Sequence, residues 1–161
     1  MPVFISHRTI DKQLAERVYG RLTQIHQIKC WIDSVNAQSD PLTITQQILS
    51  GINDCTHLLA VVTPNTDGSW WVPYEIGVAD QGARAITTFT ELTKLTLPEY
   101  LWRWPVIQND YQIDQFAAIY KRESLTLGHV KSAAAMASSE RATYSGTAGS
   151  FHRSLKISLG Q

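Results

Sequence analysis

Apolar and polar positions along the chain follow two alternating rhythms. Val3-Phe4-Ile5 and His57-Leu58-Leu59-Ala60-Val61-Val62 are short continuous apolar runs, the mark of strands buried on both faces. Between them, Leu14, Val18, Leu22 and Ile25 recur at helical spacing, with Lys12, Gln13, Glu16 and Arg17 on the opposite face. Thr9 stands where an N-cap for that helix belongs. Ile28 to Asp33, with Trp31 and Ile32, predicts a second strand, followed by a polar loop from Ser34 to Asp40 closed by Pro41. Ile44, Ile48 and Ile52 predict another amphipathic helix, with Thr43 as its expected cap. A helix over Trp71–Gln81, a fourth strand near Ala85–Phe89 and a turn or short helix over Leu97–Leu101 come next. Trp104-Pro105-Val106-Ile107 predicts a fifth strand, and Ile113, Phe116, Ala117 and Tyr120 mark a last amphipathic helix.

Parallel strands need crossover connections, so strand and helix in alternation imply an α/β domain whose sheet is covered on both faces. Such sheets bind ligands beyond the carboxyl ends of their strands. The segments ending there are Ser6-His7-Arg8, Asp33-Ser34, Thr63-Pro64-Asn65 and Thr87–Thr90. From residue 122 onward the character changes. Ala133-Ala134-Ala135 and the serines around Ser138 predict a helix from about His129 to Ala142, broken between Gly146 and Gly149. The chain therefore divides into a domain over 1–121 and an Ala/Ser/Gly-rich extension over 122–161, either a partly ordered tail or an assembly element.

Composition narrows the function classes. The 161 residues suffice for one domain with a proper core. Fourteen basic side chains balance 14 acidic ones, which removes the simplest argument for nucleic acid or an anionic membrane as partner. No apolar run reaches membrane-spanning length. Met1-Pro2-Val3 opens directly into a strand, with no basic n-region or cleavage site, so a cytoplasmic protein is expected. Cys30 and Cys55 make no metal-ligand spacing and read as small buried hydrophobes in a reducing compartment.

The candidate chemistry lies in Ser69-Trp70-Trp71-Val72-Pro73-Tyr74-Glu75-Ile76-Gly77, directly behind the Leu58–Thr63 strand. In a helix, Trp71 and Glu75 share a face, and Pro73 sits in the first turn, where its missing N–H costs nothing. A carboxylate near a helix N-terminus with an indole beside it suits a site that binds a flat ring and stabilises positive charge. The plainer alternatives are a solvated first-turn acid for Glu75 and an ordinary core residue for Trp71, unless Trp70 fills that core position.

Val3-Phe4-Ile5-Ser6-His7-Arg8, followed by Asp11 and an amphipathic helix, resembles the opening of a TIR (Toll/interleukin-1 receptor) domain. Trp31-Ile32-Asp33 is similar to the end of that family's second strand, and Trp71-Val72-Pro73-Tyr74-Glu75 to the Trp-x-x-x-Glu motif of its enzymatic members. The resemblance runs from about Val3 to Tyr120 and implies a flavodoxin-like three-layer sandwich with five parallel strands in the order 2-1-3-4-5. It implies cleavage of the nicotinamide–ribose bond of NAD+, with NAD+ as substrate and neither a bound cofactor nor a metal. Glu75 is then the catalytic residue, with Trp71 walling the nicotinamide, Arg8 pairing with the diphosphate and Asp33 holding a hydroxyl or ordering its loop. His7 is placed with these substrate-binding residues, its alternatives being a structural polar group or a general base, and the chemistry needs no base.

Stand-alone bacterial members, Thoeris-like single-domain proteins among them, serve in anti-phage defence. They deplete NAD+ or make a cyclic or variant ADP-ribose that activates a separate effector. Self-association through TIR–TIR contacts is also implied, and the rival function is a non-enzymatic scaffold acting by such contacts. Two departures stand out. Ala37-Gln38-Ser39-Asp40-Pro41 lacks the glycine usual in the loop that gates the pocket, and Thr9 stands where enzymatic members often carry a second basic residue.

Overall fold

The computed structural model describes residues 2–32, 40–92, 96–133 and 140–161, with the backbone alone for 41, 126–133 and 140–145. Among them, strands β1 (Val3–Ser6), β2 (Cys30–Ile32), β3 (His57–Val61), β4 (Ala85–Phe89) and β5 (Val106–Ile107) form one parallel sheet in the order β2-β1-β3-β4-β5. This is the flavodoxin-like order that the resemblance implied. The helices are α1 (Lys12–Gly20), α2 (Pro41–Asn53), α3 (Trp71–Gln81), α4 (Asp110–Ala133) and α5 (Glu140–Leu159).

Strand alternation sorts the interior into two layers. Val3, Ile5, Leu59, Val61 and Phe89 pack with α1, α4 and α5, through Val18, Phe116 and Phe151. Phe4, Leu58, Ala60 and Ile86 pack with α2 and α3, through Ile48, Ile52, Val72 and Ile76. Helix α2 lies so close to β1 that a Cβ on Gly51 would stand 3.0 Å from the Phe4 ring.

Several local details depart from the sequence pattern. Thr9 does not cap α1: Thr9–Asp11 is a short 3-10 turn running into the helix, and no side chain caps either start. The α2 cap is Asp40 rather than Thr43, its carboxylate accepting the Thr43 N–H at 3.2 Å. Ile25 is exposed because α1 continues into a π-wound turn over Arg21–Ile25, which breaks the 3.6-residue rhythm. That turn is tied to α4: Arg21 donates to Asp114 at 2.7 and 2.8 Å, and His26 Nε2 lies 2.6 Å from the same carboxylate. The Arg21 hydrogen bonds, more than any other influence, hold the Asp114 carboxyl down to about 2.

The C-terminal segment departs most. Gly146 and Gly149 do not break a helix but lie inside α5, because Ala148, Phe151 and Leu155 bury one face in the α1/α4 layer and packing outweighs glycine's poor propensity. The expected helix across Ala134, Ala135 and Ser138 falls on residues outside those described. Helix α5 also closes the sheet edge. His152 Nε2 accepts the Ile86 N–H at 2.8 Å, where β5 is too short to reach. Past its end, Gln161 accepts the Val106 N–H at 3.1 Å and donates to the Val106 carbonyl at 2.6 Å.

His57 on β3 is enclosed by Phe151, Tyr120 and Phe116, with ring centroids at 4.6, 4.9 and 6.1 Å. Burial above all depresses both imidazoles, His57 to about 3 and His152 to about 4, against an ordinary 6.5. Both are neutral in the fold and charge on unfolding below pH 6.5, so unfolding takes up protons in acid. Stability should be complete above about pH 6.5 and fall as the pH drops toward 4 and then 3. Urea midpoints across that range should show it, with a shallower slope in His152→Gln, which keeps the acceptor for Ile86. Phe151→Ala should lower stability by about 3–5 kcal/mol in the same assay; a loss within experimental error would mean that α5 does not hold the core.

Candidate active site

The β3–α3 connection is fixed by polar bonds before α3 begins. Thr63 and Thr66 form a reciprocal cap: Thr63 Oγ1 accepts the Asn65 N–H, and Thr66 Oγ1 accepts the Thr63 N–H, each at 3.0 Å. The corner after β1 reaches across to it. The buried carboxylate of Asp11 accepts from Thr63 Oγ1 at 2.9 Å and from Asn65 Nδ2 at 2.7 Å. The Arg8 guanidinium donates to the carbonyls of Asn65 and Asp67. Gly68, at φ +73°, turns the chain toward Ser69 and the start of α3, in a conformation that suits glycine.

Within α3, Val72, Glu75, Ile76 and Ala79 form the buried stripe. Glu75 is only 1% exposed, which excludes a solvated surface acid. It lies in the second turn rather than the first, where the helix dipole is weak. Trp71 is 41% exposed and Trp70 89%, so neither indole is a core residue; Val72 takes that position. Trp71 meets Tyr74 edge-on at 5.9 Å. Pro73, Ile76, Gly77 and Asp80 face Tyr100 and Trp104 across a cavity of about 430 Å³ on the β5 side. At 100° per residue, the Trp71–Glu75 edge of α3 turns the other way, toward β1 and α2.

The sequence-predicted residues thus separate. Trp71 and Glu75 share one edge of α3, with the indole at the rim and the carboxylate inside. Arg8 lies at the exposed corner after β1 and binds the β3–α3 loop. His7 is half-buried, its Nδ1 shut from solvent, and burial above all lowers its pKa. Asp33 falls among residues 33–39, outside those described. Burial raises the Cys30 and Cys55 thiols to about 12 and about 11, so both stay protonated at neutral pH.

Asp11, Thr63 and Asn65 frame the site, yet no role was assigned to them from the sequence. The signal available was Asp11 three residues past Arg8 and Thr-Pro-Asn-Thr at the end of β3. A larger cavity, about 780 Å³, opens beside this frame, between Thr63–Ser69, the first turn of α3 and Leu97–Leu101. It is not lined by Glu75.

A buried acid behind an exposed indole, on a helix that follows the carboxyl end of β3, is thereby in place. A family model for the TIR domain matches residues 3–121, and the chain belongs to the TIR domain family. No curated protein sequence matches it. Among solved structures, it is similar to the TIR domain of the Toll-related receptor TRR-2 from Hydra magnipapillata, at 11% identity and TM-score 0.54, covering 66% of this chain and 82% of that one. A 2-desoxiribosyltransferase from Leishmania mexicana matches at 16% identity and TM-score 0.47, over 57% of this chain and 65% of that one. A flavodoxin-like domain from Synechococcus sp. matches at 14% identity and TM-score 0.44, over 98% of each chain. No described helix is long and apolar enough to cross a membrane.

Asp11→Ala leaves the Thr63 hydroxyl and the Asn65 amide without their acceptor. It should lower stability by about 1–3 kcal/mol and speed proteolysis between Thr63 and Ser69. Thermal melts with timed digestion measure both, and an unchanged digestion rate would show that the bonds do not hold the loop.

Proposed function

We propose that this TIR domain cleaves the nicotinamide–ribose bond of NAD+, with Glu75 as the catalytic carboxylate. The observation that carries the reading is Glu75 itself, an acid buried on α3 one turn behind the exposed ring of Trp71. Nicotinamide is positively charged in NAD+ and departs neutral, so the leaving group needs no proton, unlike the leaving groups of ordinary glycosidases. Positive charge develops on the ribose, and a single carboxylate held out of water stabilises it strongly. Trp71 at the rim offers a flat wall for the departing ring. Exclusion of water decides whether water or an adenine nitrogen of the same molecule attacks the ribose, giving linear or cyclic ADP-ribose.

Glu75 is closed off from solvent in the described fold, so substrate reaches it only when the groups over it give way. Self-association through TIR–TIR contacts is the proposed means of opening, which makes the assembled protein the active one. Arg8, His7 and Asp33 complete the substrate contacts in this reading, with Arg8 exchanging loop carbonyls for the diphosphate. NAD+ loss, or a nucleotide product acting on a separate effector, would then serve anti-phage defence.

A second reading is a non-enzymatic scaffold acting by homotypic assembly. The exposed aromatic side chains Trp70, Trp71, Tyr74 and Tyr100 favour it, because they supply apolar contact area on the surface. Nicotinamide release by the wild type and Glu75→Gln, at high protein concentration with products separated by chromatography, decides between them. The enzyme requires release by the wild type and a loss of at least about 100-fold in the variant. Equal rates, or no release from assembled wild type, would leave the scaffold.

A further inference from the structure

The interior holds a polar group that neither the frame around Asp11 nor the reading of Glu75 uses. Val3 and Ile5 of β1 enter the α1/α4/α5 layer and Phe4 the α2/α3 layer, so Ser6, the last residue of β1, turns its side chain to the α2/α3 side. Its hydroxyl is fully buried and has no hydrogen-bond partner among the described residues. A buried hydroxyl left unsatisfied is a cost that alanine would not carry.

Sheet register shows what lies above it. Ser6, Ala60, Thr88 and Val106 form one row across the strands. Helix α3 leaves the carboxyl end of β3 and runs back over the sheet, with Val72 and Val62 lining one cavity. One turn from Val72 to Ile76 is a rise of about 6 Å, close to the two strand residues from Val62 back to Ala60. Glu75 and Ile76 therefore stand over the row of Ala60, whose small side chain leaves room beneath them. Ile76 leans to the β5 side, toward Tyr100 and Trp104. Glu75 leans to the β1 side, where Ser6 is the polar member of the row.

We infer that Ser6 is a positioning residue for Glu75, its hydroxyl, unpartnered in the described fold, donating to the carboxylate and aiming it at the ribose once the groups over Glu75 give way to substrate. The inference rests on the reading of Glu75 given above. Thr88 is the built-in comparison: its hydroxyl is equally buried and unpartnered among the described residues, in the same row but on the Ile76 side.

The test is steady-state NAD+ cleavage and thermal melting of wild type, Ser6→Ala, Ser6→Thr and Thr88→Ala. Ser6→Ala should lower kcat at least about tenfold with KM within about twofold, while Tm holds or rises. Ser6→Thr keeps the hydroxyl and should recover most of kcat, and Thr88→Ala should match wild type. Wild-type kcat in Ser6→Ala would overturn the assignment and leave the role of Glu75 intact, as would a loss of kcat that merely follows a lowered Tm. Absence of nicotinamide release from the wild type would overturn the reading of Glu75 and the role of Ser6 with it.

Discussion

The fold depends on burying both faces of a parallel sheet built from very short strands. β5 contributes only Val106–Ile107 and β2 only Cys30–Ile32, so the strands alone cover little of either layer. The central strand β3 is buried along its whole length, and each of its side chains must find a helix. On one side α2 and α3 suffice, with Gly51 admitting the Phe4 ring. On the other, α1 and α4 leave a gap beside His57 and β4 that α5 fills with Phe151 and Leu155. The last helix is thus part of the same hydrophobic interior as the strands.

Polar groups within this interior are handled in two ways. Around Asp11 they are satisfied: both carboxylate oxygens take a hydrogen bond, and the two loops they join are held in one arrangement. That arrangement fixes where α3 begins, and so sets the depth of Trp71 and Glu75 relative to the sheet. In the row beneath α3, Ser6 and Thr88 have hydroxyls without partners among the described residues. A satisfied frame thus stands beside a row of the sheet whose buried hydroxyls retain bonding capacity.

Most of the fold was legible in the sequence because periodicity is a strong signal where burial is one-sided or complete. The continuous run His57–Val62 and the repeats Ile44/Ile48/Ile52 and Ile113/Phe116/Tyr120 identified their elements directly. Local chemistry was less legible. Thr9 and Thr43 are good caps by propensity; Pro41 at the first helical position is the signal that marks Asp40 as the cap instead, whereas nothing in the chain near Thr9 announces that Asp11 is drawn across to Thr63. α5 was hidden for a different reason: two glycines lower its intrinsic helicity, and the surface that overrides them is assembled from strands and helices far away in the chain. At the site, the spacing of Trp71 and Glu75 was readable, whereas the depth of the acid and the burial of the Ser6 hydroxyl depend on register between strands, which one sequence does not display.

The carboxamide of Gln161 mimics a neighbouring strand, offering Val106 one acceptor and one donor at the spacing of a main-chain pair. The outer rim of β5 is therefore already paired, and α5 stands in front of it. A second chain that sought to lengthen the sheet there by β-augmentation would have to displace both. At the opposite border, on β2, the Trp31 side chain is turned out to solvent. The sheet is consequently closed to growth at its β5 border, independently of what happens in the cleft.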